Sequence, residues 1–539
     1  MYFHTMRKLF LLTAFAMFLL GGCGRPSNGP HTLEIYITSD VHGCYLSRDY
    51  QEDRTKAYSM SKVATALDEA RMKSNNVILI DNGDNLQGDN AAFFFNFVDT
   101  TSQHLFARIA NYLDYDAVVV GNHDIEAGHD VYDRVRKQFN APVLAANAIR
   151  TEEPKKGSCY FKEYTIVRRD CLRVAIIGFT NPNVTSWITE PLYHGMEFVK
   201  ISDMAQELVD KVRTKERADI VIVSVHAGSG EEDEDSIENC GLYLAKHLTG
   251  VDMVIGGHDH KPRMISYSGG DTPTTYIDPG ARCKHLGHVT IKADYKKGKR
   301  VGIQMDAELL PMEEFGYSDA FDAEFADDYR RVKAFTLQEI CQVSESFNLA
   351  DALTGPSAYM NLLYDLQLDV TGADLTFAAP LSSYGIINKG TLVYNDLTRI
   401  YPFENKLFTI RLTGEQIKNY LEYSYDRWIN RSGPAYCYDS CGGLRYKVYK
   451  NRPMGSRVVI ESMEDGTPFE AGKSYTVAIT SYRAMGGDGL LSEGAGLDVS
   501  NPEAYIVDKC GDIRGLLYDY LTATGTLEPA VNDNWKFIE

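Results

Sequence analysis

From Leu33 to about Leu310 the chain keeps returning to one pattern, a short apolar run rich in Val and Ile followed by a polar stretch of helical length. The runs are Leu33–Ile37, Val77–Ile80, Val118–Val120, Val174–Ile177, Ile220–Val223 and Met253–Ile255. Such runs predict buried strands of an α/β unit, a sheet packed between helices. The residues just beyond the strand ends constrain the chain further. Asp40 and His42 come after the first run, Asp84 after the second, Asn122 and His123 after the third, and His226, His258 and His260 after the last two. Loops at one edge of such a sheet converge in space, and ligands bind there in open α/β folds.

Read in order, these fragments are Asp-x-His (Asp40, His42), Gly-Asp-Asn (Gly83 to Asn85), Gly-Asn-His-Asp (Gly121 to Asp124), an isolated His226, and Gly-His-Asp-His (Gly257 to His260). Together they offer ligands for two divalent ions. A carboxylate such as Asp84 has two oxygens and can bridge two cations. Imidazoles suit zinc, manganese, iron or cobalt better than magnesium or calcium. A lone Asp or His at a strand end is usually a cap or a turn former. The five fragments in this order resemble the calcineurin-like metallophosphoesterases.

That resemblance implies a β-sandwich flanked by helices. It makes Asp40, His42 and His260 ligands of one metal, Asn122, His226 and His258 ligands of the other, and Asp84 the bridge. It places His123 at the cleft as a donor to the phosphate or its leaving oxygen. The residue that orients His123 is then Glu126 or Asp124. His129, His247, His285 and His288 match no motif position and read as surface or packing residues.

Gly316 to Val343 is charged, with Phe321, Phe325, Tyr329 and Val332 at helical spacing, and reads as a linker helix within 311–343. From 344 to 539 a different pattern of helices and strands predicts a separate α+β domain. This half is similar to the C-terminal substrate-binding domain of the 5'-nucleotidase family, which includes 2',3'-cyclic-nucleotide phosphodiesterases with 3'-nucleotidase activity. The similarity is strongest in Thr480-Ser-Tyr-Arg-Ala-Met-Gly-Gly-Asp-Gly489. It makes Tyr482 and Tyr438 the two aromatic faces around a base and Asp488 an acceptor for ribose hydroxyls. The family's 5'-nucleotidases carry an Asn-Gly-Gly-Gly-x-Arg stretch in this half. Here the region reads Ala378-Ala-Pro-Leu-Ser-Ser-Tyr-Gly-Ile-Ile-Asn-Lys-Gly390, without that glycine run or its arginine. A lysine cannot reproduce the guanidinium fork. The resemblance therefore leans to the cyclic phosphodiesterase/3'-nucleotidase branch, with 5'-nucleotidase, including UDP-sugar hydrolysis, as the second reading. A nucleotide-binding lipoprotein without catalysis is a third, and the complete ligand set argues against it.

The formal net charge of −19 over 539 residues leaves no broad basic face for a nucleic-acid backbone, so a small nucleotide is the expected partner. Arg7 and Lys8 precede an apolar run, Leu9 to Leu20, too short to span a bilayer comfortably. The ending Leu20-Gly-Gly-Cys23 resembles a bacterial lipobox. That implies a signal peptide over 1–23, a lipid on Cys23, a flexible tether over 24–32, a metal domain over 33–310, and an exported, membrane-anchored protein. The other nine cysteines are scattered, and the close pair Cys437 and Cys441 fits either a disulfide or two free thiols.

Overall fold

A computed structural model describes residues 26–50, 53–268, 273–403 and 405–539. Cys23 and the apolar run before it lie outside these residues. No helix among the described residues is long and apolar enough to cross a membrane.

The first half is a sandwich of two six-stranded sheets. Its strands are β1 (Gly29–Thr38), β2 (Val77–Asp81), β3 (Ala117–Val119), β4 (Val143–Leu144), β5 (Tyr164–Arg169), β6 (Leu172–Phe179), β7 (Ile220–Val225), β8 (Met253–Ile255), β9 (Arg263–Tyr267), β10 (Thr274–Asp278), β11 (His285–Lys296) and β12 (Lys299–Pro311). One sheet runs β12-β11-β1-β2-β3-β4 and the other β9-β10-β8-β7-β6-β5. The central strands β1 to β4 lie parallel to one another, as do β6, β7, β8 and β10.

The unbroken apolar runs follow from burial on both faces. Leu33, Ile35, Ile37, Ile78 and Ile80 meet Val174, Ile176, Ile220, Ile222 and Ile255 between the sheets. Alternate residues point the other way. Tyr36 and Leu79 pack under helix α1 (Met60–Lys73), and Ala175, Ile177 and Val223 pack under α2 (Ile201–Thr214).

The second half is built on a five-stranded sheet in the order Ser440–Gly442, Leu375–Ala378, Ser474–Thr480, Lys406–Thr413, Ile506–Asp512. Two long helices pack on it, α3 (Ala358–Thr371) and α4 (Gly414–Asn430). Ser357 caps the first of these. Thr413 and Gln416 form a reciprocal capping box on the second.

The linker departs from expectation. Helical structure there comprises Asp319–Glu324 and Ala326–Thr336, after which Glu339–Val343 turns into a strand paired with Gly390–Val393. Pairing with Gly390–Val393 on one side and Thr526–Leu527 on the other holds Glu339–Val343 extended, and this outweighs helical continuity. The halves meet at an aromatic cluster. Phe93 lies 6.2 Å from Phe335 and 5.8 Å from Tyr394 between ring centres, and Asn90 donates to Asn395 at 2.6 Å.

Candidate active site

The site loops lie beyond the C-terminal ends of β1, β2, β3, β7 and β8, and their backbones are unusual. Asp40, His42, Asp84, His258 and His260 all have positive φ, between 46° and 73°. Asp and His tolerate this region better than most residues, and each such residue costs about 1–3 kcal/mol. The loops are laced together. The His42 N–H donates to the Asp84 carbonyl (3.0 Å), the Asp40 N–H to the Gly83 carbonyl (2.9 Å), and the His258 N–H to the Asp40 carboxylate (3.2 Å). Gly121 lies so close to Asp84 that an added Cβ would stand 2.1 Å from Oδ1.

Two groups of candidate ligands result. Asp40, His42 and His260 form one, and Asp84, His226 and His258 form the other. In the first, the Nε2 atoms of His42 and His260 are 2.9 Å apart, with Asp40 Oδ1 3.4 Å from His260. In the second, His226 donates from Nδ1 to the Asn82 carbonyl (2.7 Å), which aims Nε2 at Asp84 Oδ2 (3.0 Å). That buried Nε2 faces the carboxylate without a well-formed hydrogen bond. Asp84 Oδ2 also stands 3.9 Å from His42, so one oxygen faces both groups. Asn122 Oδ1 joins through His258 Nδ1 at 2.9 Å.

The electrostatics favour cations. Burial holds His42 neutral, its pKa down at about 3 against the pull of Asp84. Neutral imidazole is the ligating form. Burial also opposes charge on His226, but Asp84 and Asp40 outweigh it and push the pKa up to about 10. A divalent cation competes with that proton for Nε2. A buried nitrogen facing a carboxylate, a shared carboxylate oxygen and a mixed N/O donor set fit two divalent ions.

Three contacts here carry no sequence motif. Glu238 accepts from His258 Nε2 (3.1 Å), which fixes Nδ1 toward Asn122, and Trp187 stacks on the His258 ring at 5.2 Å. Gln87 meets His42 Nδ1 at 3.1 Å.

Glu126 pairs with His123 Nδ1. Burial opposes a charge on His123, but Asp84 and Glu126 overcome it and raise the pKa to about 9. Asp124, the other candidate orienter, is occupied elsewhere. Its oxygens accept the N–H groups of Gly121 (2.8 Å), Asp84 (3.0 Å), Asn85 (2.9 Å) and Leu86 (2.9 Å), tying two site loops together.

Facing the ligands across a cleft of about 810 Å³ is the second half. Asn122, His123, His258 and His260 line one wall. Phe403, Tyr436, Tyr482, Arg483 and Asp488 line the other. Tyr482 lies against Gly487, where any Cβ would stand 2.5 Å from the ring. Tyr438 is not at the cleft, contrary to expectation. It is 4% exposed, stacks on Trp428 at 5.7 Å, and donates its hydroxyl to the Gly433 carbonyl at 2.6 Å. Two residues earlier, Tyr436 is 41% exposed and sits edge-on to Phe403 at 5.9 Å. The short Ala435–Cys437 turn presents Tyr436 outward and buries Tyr438.

Arg483 is buried beneath this wall. Its Nε and Nη2 donate to Asp439, Nη2 also to the Tyr436 carbonyl, and Nη1 to Asp488 and the Gly487 carbonyl. Cys437 and Cys441 are both free thiols.

Comparison with known proteins agrees with this geometry. Residues 33–262 match the calcineurin-like phosphoesterase family, and residues 337–493 match the 5'-nucleotidase C-terminal domain. The chain joins a calcineurin-like phosphoesterase domain to a 5'-nucleotidase C-terminal domain. A 2',3'-cyclic-nucleotide 2'-phosphodiesterase/3'-nucleotidase of Salmonella typhimurium is 23% identical over 94% of this chain and 88% of its own length. A 5'-nucleotidase of Vibrio cholerae is 24% identical over 96% of each. The trifunctional nucleotide phosphoesterase YfkN of Bacillus subtilis is 22% identical over 94% of this chain, which spans 39% of that longer protein. A Staphylococcus aureus structure solved with alpha-ketoglutarate has the same fold, with TM-score 0.78 and 21% identity over 94% of this chain and 100% of that one. Between these two domains the candidate ligands and the aromatic wall open onto the same space.

Proposed function

We propose that the protein is an exported two-metal phosphoesterase that hydrolyses nucleotides, preferring 2',3'-cyclic nucleotides and then 3'-nucleotides. The shared cleft carries this reading, because metal ligands line one wall and an aromatic, ribose-sized surface the other. Asp40, His42 and His260 would hold one ion and Asn122, His226 and His258 the other, with Asp84 between the two groups. Divalent ions held there supply Lewis acidity toward phosphoryl oxygens and toward water.

The chain's own groups do the rest. His123, oriented by Glu126, donates a proton or hydrogen bond to the leaving oxygen. Tyr436 and Tyr482 flank the base, and Asp488, held by Arg483, accepts from the ribose hydroxyls. Stacking of this kind contributes roughly 1–3 kcal/mol per base and tolerates different bases.

Preference for the cyclic and 3' substrates is supported by the absent glycine-rich arginine stretch. Among the described residues lining the cleft, Arg483 is the arginine, and its donors are committed to Asp439, Asp488 and two carbonyls. The described residues of the cleft lining thus offer no spare guanidinium fork for a terminal 5'-phosphate. The names of the relatives support both nucleotide readings.

Initial rates on 2',3'-cyclic AMP, 3'-AMP, 5'-AMP and a UDP-sugar, at matched metal, test the proposal. The cyclic and 3' substrates turn over fastest if it holds. A faster 5'-AMP rate selects the 5'-nucleotidase reading, and no hydrolysis product from any of them with metal bound selects a binding protein. We propose further that Cys23 carries a lipid. Cys23→Ser then abolishes partition into the detergent phase.

A further inference from the structure

We propose that the end of the sandwich opposite the cleft is a membrane-resting face, which seats the protein on anionic lipid headgroups. The site loops lie beyond the C-terminal ends of the parallel strands, so the N-terminal ends gather at the far end. β1 alone spans 10 residues, roughly 30 Å at strand rise.

Two hairpin turns and one loop meet there. Lys296, Lys297 and Lys299 surround the turn between β11 and β12, Arg168 lies at the end of β5, and Lys215 and Arg217 precede β7. All six side chains are exposed. The nearby acids are largely engaged with other cations: Asp170 with His31 (2.9 Å), Asp116 with Arg169 (2.7 Å), Glu216 with Arg173 (3.4 Å), and Asp252 with Arg300 (2.7 Å). Asp294 beside the first turn and the exposed Asp114 ahead of β3 remain as opposing charges. On a chain of net charge −19 this is an inverted patch.

The start of the described chain runs into the same face. Asn28 accepts from the Lys297 N–H at 2.6 Å, Gly29 pairs opposite Tyr295, and His31 bonds Asp170. Pro26 stands three positions beyond Cys23, at most about 10 Å of extended chain. Screening at physiological salt decays over about 8 Å, and the turn at Lys297, bonded to Asn28, is the part of the patch that a lipid on Cys23 would bring nearest the headgroups. One acyl-type anchor and a basic patch act together as two membrane signals. The rest of the molecule, being acidic, is repelled. The cleft then faces away from the bilayer, open to dissolved nucleotides.

This inference rests on the lipid-anchor reading, and the experiment separates the two. The full-length protein is reconstituted with phosphatidylcholine vesicles with or without phosphatidylglycerol. Acetylation rates of individual lysines are then read by mass spectrometry. Lys296, Lys297 and Lys299 are expected to react at least about fivefold more slowly on phosphatidylglycerol vesicles, while Lys473 and Lys536 on the other half do not change. Protection should vanish without the anionic lipid, and at 1 M salt, where the screening length falls to about 3 Å. The variant Lys296→Glu/Lys297→Glu/Lys299→Glu should also lose protection at Lys215. Equal rates at these lysines and the controls, or protection that ignores lipid charge, overturn the proposal. Pelleting with vesicles at 1 M salt reports the lipid anchor independently.

Discussion

At the scale of single residues, the site separates groups that a motif places together. His123, Asp124 and Glu126 fall within one turn, yet Glu126 meets the imidazole while Asp124 gathers four backbone N–H groups. Asp124→Ala should leave those donors unpaired and lower stability by more than about 2 kcal/mol, read as a fall in the urea midpoint. Glu126→Gln should leave folding and bound metal intact. An imidazolium acting as the acid loses activity as pH rises through its pKa, which the Glu126 carboxylate holds up. Removing the Glu126 charge lowers that pKa, so the alkaline limb of the pH–rate profile should move to lower pH. An unmoved limb would place the acid elsewhere. Tyr436 and Tyr438 divide in a similar way. Tyr436→Ala should raise KM for nucleotides by roughly 5- to 100-fold with an unchanged melting temperature. Tyr438→Ala should cost about 3 kcal/mol of stability, because it empties a packed site against Trp428. The metal-ligand candidates were legible in the sequence because their chemistry needs particular residue types at strand ends. The choice between tyrosines two apart was not, because a three-residue turn decided which ring faced water.

At the scale of elements, strands buried on both faces announced themselves as unbroken Val and Ile runs. Glu339–Val343 did not. Its partners, Gly390–Val393 and Thr526–Leu527, lie far along the chain, and no local pattern reveals them. Glu238 was equally hidden, since a carboxylate that steadies a histidine from a loop has no fixed spacing. The close approach of the strand-end loops gives a direct test. A methyl added by Gly121→Ala would stand 2.1 Å from Asp84 Oδ1, so the variant should retain its strands by circular dichroism but lose most bound metal by elemental analysis. Full metal content in that variant would show that Asp84 is not the shared ligand.

At the scale of the whole molecule, the candidate metal ligands and the aromatic wall sit on different halves that meet at one cleft and at the cluster of Phe93, Phe335 and Tyr394. The double variant Tyr436→Ala/Tyr482→Ala should therefore damage nucleotide hydrolysis while largely sparing bis-p-nitrophenyl phosphate, which needs only the metal wall. Equal losses on both substrates, with fold and metal intact, would refute that division. The left-handed backbone of Asp40, His42, Asp84, His258 and His260 also bears on how such a protein can change by inheritance. Glycine and asparagine enter that conformation at little steric cost, whereas β-branched residues do not. A descendant freed from catalysis would drift first toward Gly and Asn at those five positions and keep its loop shapes. Its ancestry would stay readable in the backbone long after the ligands had gone.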